Sequence, residues 1–310
     1  MENRKIAIIT INYNTESLIE RFIDSIVSQT YKNWLIAIAN NSDSDKILNR
    51  VIQKYSEIEI YVVNINKNVG YSKANNISFE YLKNNNKLNS DDLVLVSNED
   101  IVMEDSDFLK KSVEFFDKDD CSFIGPKIIN NDGSMMLPHK KETGYLKCLL
   151  HFGNNGIADK IFNINSYFKK IINPSEVFLI NGACFFARFK DFDKVGMFDE
   201  NTFIYYAEEL LFRKVKNAGL KVKYIPEIYV KHDHSGTVKK NYNPVFKKKF
   251  VYEAEIYFLT GILRVKKFLL LLFKAERKIE FVLISLFYKI SKTKIYIVSM
   301  VKKMVTIKNG

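Results

Sequence analysis

The chain has 310 residues, 47% of them hydrophobic, which supplies a large core and excludes a disordered chain; with only 5 Pro and 12 Gly it is no fibrous or low-complexity protein. Its formal charge of +11 is unevenly placed: residues 237–310 hold 17 Lys+Arg against 4 Asp+Glu, a net +13, and the first 236 residues sum to −2. The basicity belongs to the tail, which speaks against nucleic acid as the partner of the body.

Lys5–Ile11 (KIAIITI) is a continuous apolar run, as expected of a parallel strand buried on both faces. A helix follows, capped by Asn14 or Thr15, with Leu18, Ile19, Phe22, Ile23, Ile26 and Val27 at helical spacing. Trp34–Ala39 reads as a second strand, Asp45–Tyr55 as a second helix, Glu59–Asn64 as a third strand, Ser72–Lys83 as a third helix and Leu93–Ser97 as a fourth strand. This alternation predicts an α/β fold around a parallel sheet, whose ligands bind at the carboxyl ends of the strands. Beyond Asp100 the spacing predicts a helix over Ser106–Phe116 and a strand near Cys121–Gly125. Met135–Pro174 has no clear period. Phe178–Arg188 is strand-like, Ala207–Lys216 helical, and Val222–Tyr224 and Ile228–Lys231 are short strands around Pro226. Cys121, Cys148 and Cys184 form no CxxC pair and read as buried free thiols of a reducing compartment. No signal peptide is legible after Met1.

Two domains are expected, residues 1–236 and the tail 237–310. In the tail, Phe268–Phe273 and Phe281–Tyr288 flank the charged segment Lys274–Lys278. Neither run reaches the roughly 18–20 residues of a spanning helix. They read as basic amphipathic helices, either on an anionic membrane surface or packed on the body with lysines outward.

Six polar clusters fall where such a sheet binds ligands. Thr10, Asn12, Tyr13 and Asn14 end the first strand and serve either an anion at the next helix or a simple cap. Asn40 and Asn41, with Ser42 and Asp43, suit a base or ribose edge, or a turn. Asn66, Asn68, Gly70 and Lys73 combine a glycine of free backbone conformation with a lysine in the first turn of a helix, aimed at a phosphate. Asn98-Glu99-Asp100 closes an apolar strand with carboxylates, a seat for Mg²⁺ or Mn²⁺. Glu208 and Glu209 open a helix; only one can face a cleft, as a proton acceptor. His232 and His234 follow a strand and are candidates for the metal shell or a diphosphate.

Taken in order, these residues resemble the family 2 glycosyltransferases, and within them the rhamnosyltransferase-like branch of bacterial polysaccharide assembly. The likeness runs from Lys5 to Gly236, with Asn66–Asn76, Asn181-Gly182-Ala183, Val195–Glu200 and the spacing from Glu208 through Gly219 and Pro226 to His232 as its most specific parts. It implies a GT-A type, Rossmann-like nucleotide-diphospho-sugar transferase domain and an inverting transfer from a UDP- or dTDP-sugar to a lipid-linked saccharide. The place implied is the cytoplasmic face of the plasma membrane. Thr10, Asn12, Tyr13 and Asn14 then fall on the nucleotide-binding strand end, Asn66, Gly70 and Lys73 on the ribose and diphosphate loop, and Asn98 and Asp100 on the metal motif. Gly182 and Ala183 fall beside the sugars, Glu208 on the catalytic carboxylate and His232 on the closing histidine. Three positions depart from the pattern: Ala39 replaces the base-reading acid, Asn98 replaces the first acid of the metal motif, and Glu209 stands where an Asp is usual. Two other classes compete. A nucleotidyltransferase wants a Gly-rich basic loop after the first strand, which Asn12–Thr15 lacks. A non-catalytic membrane-surface binding protein has no need of Asp100, Glu208 and His232.

Overall fold

The structure, a computed structural model, describes residues 4–150, 173–233 and 244–286. These form two compact units, one of residues 4–143 and 173–233, the other of 144–150 and 244–286. The boundary expected at residue 236 and the histidine at His234 lie outside the described residues.

The first unit is built on a mixed sheet. Strands β1 (Ile6–Asn12), β2 (Trp34–Asn40), β3 (Ile60–Asn64) and β4 (Leu93–Ser97) are parallel, in the order β3-β2-β1-β4. Alternate residues serve opposite faces. Ile6, Ile8, Ile36, Ile38, Leu93 and Leu95 enter one core with Ile19, Phe22, Ile23 and Ile26 of α1 (Glu16–Val27) and Leu48 of α2 (Lys46–Ile52). Ala7, Ile9, Leu35, Ala37, Val94 and Val96 enter the other with Phe79 and Leu82 of α3 (Tyr71–Asn84). Burial on both faces is why these strands read as unbroken apolar runs.

The rest of the sheet departs from parallel. After the short β5 (Ile101–Val102) and α4 (Phe108–Lys118) comes β6 (Phe123–Asn130), extended well past the expected strand and paired with the short β7 (Met135–Met136). Past the short β8 (Ser175–Glu176), strand β9 (Cys184–Arg188) runs antiparallel to both β4 and β6. The strand expected over Phe178–Arg188 therefore begins only at Cys184. The Asn181 carboxamide oxygen accepts the Ala183 N–H at 2.9 Å, and this side-chain turn breaks the strand before it. Conversely, the two short strands expected around Pro226 are one, β10 (Val222–His232), parallel to β6 with its register shifted between Ile225 and Tyr229. A bulge accommodates the proline, which has no N–H to give the ladder.

In the second unit, α5 (Tyr145–Leu150) and α8 (Pro244–Tyr257) accompany a helix α9 over residues 267–286. Two further helices, α6 (Phe189–Lys194) and α7 (Ala207–Asn217), belong to the first unit. The charged segment Lys274–Lys278 does not interrupt α9, although the sequence pattern treats it as a separator; Phe287 and Tyr288 lie outside the described residues. Cys121, Cys148 and Cys184 are all buried free thiols.

Candidate active site

At the carboxyl ends of the first three strands, Asn12, Asn40 and Asn64 stand side by side in register. Asn12 donates to the Asn40 carboxamide oxygen at 3.1 Å, and Asn40 donates to that of Asn64 at 2.9 Å. Ser42 joins the row: its Oγ accepts from Asn12 Nδ2 at 3.3 Å and from the Asn14 N–H at 2.9 Å. Asn14 holds a left-handed backbone, φ 57°, which Asn tolerates better than most residues. Thr10 is fully buried, its hydroxyl without a hydrogen-bond partner among the described residues. Tyr13 lies partly buried beside Thr15. Asn40 thus spends its amide on its neighbours.

Asn41 performs a different task. Its carboxamide donates to Asn68 Oδ1 and accepts the Val69 N–H, both at 2.9 Å. Asn68 Oδ1 also accepts the Gly70 N–H at 3.0 Å. The loop through Asn66 (φ 60°) is tied to the second strand in this way and delivered to α3. Gly70 caps that helix at φ 88°, and a Cβ there would lie 2.2 Å from the Phe203 carbonyl oxygen. Only glycine meets both demands. Lys73, in the first turn, is half exposed and pairs with Glu200 at 3.4 Å.

Tyr71 opens α3 and carries the connection inward: its hydroxyl donates to the Gly182 carbonyl at 2.9 Å. The next carbonyl, of Ala183, accepts the Asn98 N–H at 2.8 Å, which brings the Gly182 turn against the end of β4. Two residues on, Asp100 Oδ1 lies 3.1 Å from His232 Nε2, both side chains less than a tenth exposed. That oxygen makes no hydrogen bond of good geometry. The pair is held by its backbone, the Asp233 N–H donating to the Asp100 carbonyl at 2.8 Å. Asp233 is clamped by Arg21 at 2.6 Å and by Asn131 at 2.7 Å. The neighbouring Glu99 accepts the Thr15 hydroxyl at 3.1 Å.

Glu208 and Glu209 sit in the first turn of α7, behind Tyr206, whose left-handed φ of 66° is an outlier for an aromatic residue. The two carboxylates part company here. Glu208 points at Gly182: a Cβ on that glycine would come within 2.3 Å of Glu208 Oε1. Burial pushes its pKa up, and the Glu209 charge adds to this. Its own amide, the Gly182 N–H and His139 pull the other way without cancelling the shift. Glu209 turns inward, where Thr143 Oγ1 donates to its Oε1 and His139 Nδ1 lies 3.7 Å from the same oxygen. His139 itself is fastened by backbone bonds to Phe178 and Leu179, just ahead of the Gly182 turn.

Part of the predicted set is joined in one connected region, α3 to Gly182, Gly182 to Glu208, and Ala183 through Asn98 to Asp100 and His232, while Thr10 and Tyr13 are not tied to it and Lys73 pairs with Glu200. Asn64, His139 and Thr143 also belong to this region. Asn64 has a legible signal, since it ends its strand as Asn12 and Asn40 end theirs. His139 and Thr143 lie in the segment without period and have none. A divalent cation fits Asp100 and His232, one carboxylate oxygen of Asp100 being buried and unsatisfied. Among the described residues no group of three or more His, Cys, Asp or Glu is placed to hold a metal ion. Protein ligands that few suit Mg²⁺ or Mn²⁺ completing its shell with phosphate and water.

Comparison with known proteins follows the same lines. Residues 7–196 match the family described as Glycosyl transferase family 2. The chain is 23% identical to the rhamnosyltransferase WbbL of Escherichia coli over 254 residues, 80% of this chain and 92% of that protein. It is 24% identical to the N-acetylglucosaminyl-diphospho-decaprenol L-rhamnosyltransferase of Mycobacterium tuberculosis, over 73% of this chain and 75% of that one. In fold it resembles the mannosyltransferase PcManGT of Pyrobaculum calidifontis, solved with GDP-Man and Mn²⁺. The TM-score is 0.53 at 11% identity, over 84% of this chain and 65% of that one.

Proposed function

From the premise that this chain belongs to glycosyl transferase family 2, in its rhamnosyltransferase-like branch, we propose that it moves a hexosyl or deoxyhexosyl group from a UDP- or dTDP-sugar to a hydroxyl of a lipid-linked saccharide. The product belongs to a bacterial surface polysaccharide, and the work is done at the cytoplasmic face of the plasma membrane. The two rhamnosyltransferase relatives, one of them named for a diphospho-decaprenol substrate, support this choice of acceptor. The observation that carries the reading is the contact series from Tyr71 through Gly182 to Glu208, joined by Ala183 and Asn98 to Asp100 and His232.

The strand-end amides and the Asn66–Gly70 loop shape the nucleotide crevice, with Lys73 at its phosphate end. Asp100 and His232 would hold a divalent cation, which when bound neutralises charge on the diphosphate as it leaves. Glu208 accepts the proton of the acceptor hydroxyl. The oxygen of that hydroxyl bonds to the anomeric carbon as the bond from that carbon to the diphosphate oxygen breaks on the opposite face. The configuration inverts, and the nucleoside diphosphate departs with the bonding electrons. Gly182 leaves room for the carboxylate beside the reacting sugar. Glu209 holds the Thr143 and His139 loop against α7, which makes it a positioning residue and Glu208 the base.

The test is a panel of nucleoside diphosphates and their sugars with Mn²⁺, read by thermal shift and by slow donor hydrolysis. UDP or dTDP forms should stabilise the protein and release nucleoside diphosphate, and Asp100→Ala should remove the metal-dependent part of both. Glu208→Gln should keep the thermal shift and lose transfer. Full transfer by Glu208→Gln would move the base to Glu209, and a panel without any response would sink the reading.

A further inference from the structure

A helix on the surface of a globular unit ordinarily turns its apolar stripe inward and its charges to water. α9 departs from this: its buried face carries charges beside Phe273, and a wide apolar stripe faces out. Arg277 and Glu280 are 2% and 1% exposed. Inside the second unit, Arg277 bonds both carboxylate oxygens of Glu255 on α8, at 2.8 and 2.9 Å, and Lys248 of α8 pairs with Glu280 at 2.7 Å. Glu276 is engaged by Arg277 at 2.8 Å. The outward face carries Phe268, Leu271, Leu272, Ile279, Val282 and Leu286, of which Phe268, Leu271 and Ile279 are 60–68% exposed. Counted from Phe268, these positions fall at +3, +4, +11, +14 and +18, which on a helix is one stripe about a third of the circumference wide.

The charge beside that stripe identifies what covers it. Lys267, Lys274 and Lys278 recur at +7 and +11 along one flank and are exposed. No carboxylate of α9 is exposed: Glu276 is partly buried and Glu280 fully so. An apolar stripe with exposed cations along one flank and no fully exposed carboxylate beside it complements acyl chains beneath anionic phosphates. A second copy of this chain would have to bring further uncompensated lysines against these. Among the described residues no helix is long and apolar enough to cross a membrane.

We propose that the outer face of α9 is a docking surface for an anionic lipid bilayer, lying in the headgroup region with its lysine flank on lipid phosphates. The proposal rests on α9 alone. It deepens the reading of a lipid-linked acceptor by giving the face through which the protein meets the membrane.

Flotation of the full chain with phosphatidylglycerol-containing vesicles tests it, with pure phosphatidylcholine vesicles as the comparison. Wild type should float with the anionic vesicles and largely fail to float with the zwitterionic ones. Leu271→Glu with Ile279→Glu, both outward and thus tolerated by the fold, should reduce anionic partitioning at least tenfold. Reversing Lys267, Lys274 and Lys278 to Glu should reduce it roughly a hundredfold and weaken its salt dependence. Donor hydrolysis in solution should be unchanged in both variants, so a failure of the enzymatic reading shows separately. Equal flotation of wild type and variants overturns the proposal. So does a wild-type dimer in sedimentation that the stripe variants convert to monomer without any vesicle binding.

Discussion

Glu208 is placed where opposing effects meet and burial prevails. Burial and the adjacent Glu209 favour the neutral acid, while two amides and the positive end of α7 favour the carboxylate. The net direction is upward, so Glu208 takes up a proton at a pH where an ordinary glutamate is still ionised. A base must be ionised, so kcat/KM should fall as pH drops through this raised value. The acidic limb of the profile should stand above the usual carboxylate range, and a limb at the ordinary glutamate position would remove Glu208 from the role. Gly182→Ala puts a carbon 2.3 Å from Glu208 Oε1 and forces the carboxylate aside. Displacement of about an ångström costs on the order of a hundredfold in rate, so kcat should fall by about that much while the thermal shift with donor persists. The position of Glu208 at the start of a helix is legible in the sequence. The resemblance also points to Glu208 over Glu209; what occupies Glu209 is not legible, because His139 and Thr143, the latter 66 residues earlier in the chain, lie in a segment without period.

Among elements, the strand ends behave as a joined unit. Asn12, Asn40 and Asn64 pass hydrogen bonds across three parallel strands, and Asn41 extends the bonding to the loop before α3. Replacing Asn40 by Leu fills the space, removes the nearer acceptor of the buried Asn12 amide, which keeps only the longer bonds to Ser42 and Glu16, and breaks the row before the exposed Asn64. The cost expected is about 1–3 kcal/mol, measurable by urea unfolding, with a raised donor KM as the crevice loosens. An unchanged midpoint and KM would show that the row is dispensable. The strands themselves are legible because burial on two faces writes an apolar run. The break before Cys184 is not legible that way, since FLINGACFFAR is apolar on both sides of the side-chain turn at Asn181. The joining of two short segments into β10 is hidden for the opposite reason: Pro226 breaks the local pattern, and only pairing with β6 restores it.

For the whole molecule, net charge and the facing of charges have different origins. The tail's excess of Lys and Arg is plain in the sequence, and it suggests a helix with its cations in water. A composition does not record which cation is turned inward, and Arg277 and Lys248 are; Arg277 is held there by Glu255, Glu276 and Glu280. Burial raises the pKa of Glu255, and Arg277 offsets that in part. Removing the guanidinium leaves Glu255 with Lys248 as its remaining nearby cation in a dry interior. Arg277→Met should therefore destabilise the second unit by about 3–5 kcal/mol, seen as faster amide exchange over residues 244–286. Because the sheet has its own two cores, protection of β1, β2 and β4 should persist and donor hydrolysis should survive. Replacing Lys248, Glu255 and Glu280 by Met in the same chain removes the buried charges together, and stability should then recover in part, since well-packed apolar groups often substitute for a buried ion cluster. Equal loss of protection in both units after Arg277→Met would show that they unfold as one.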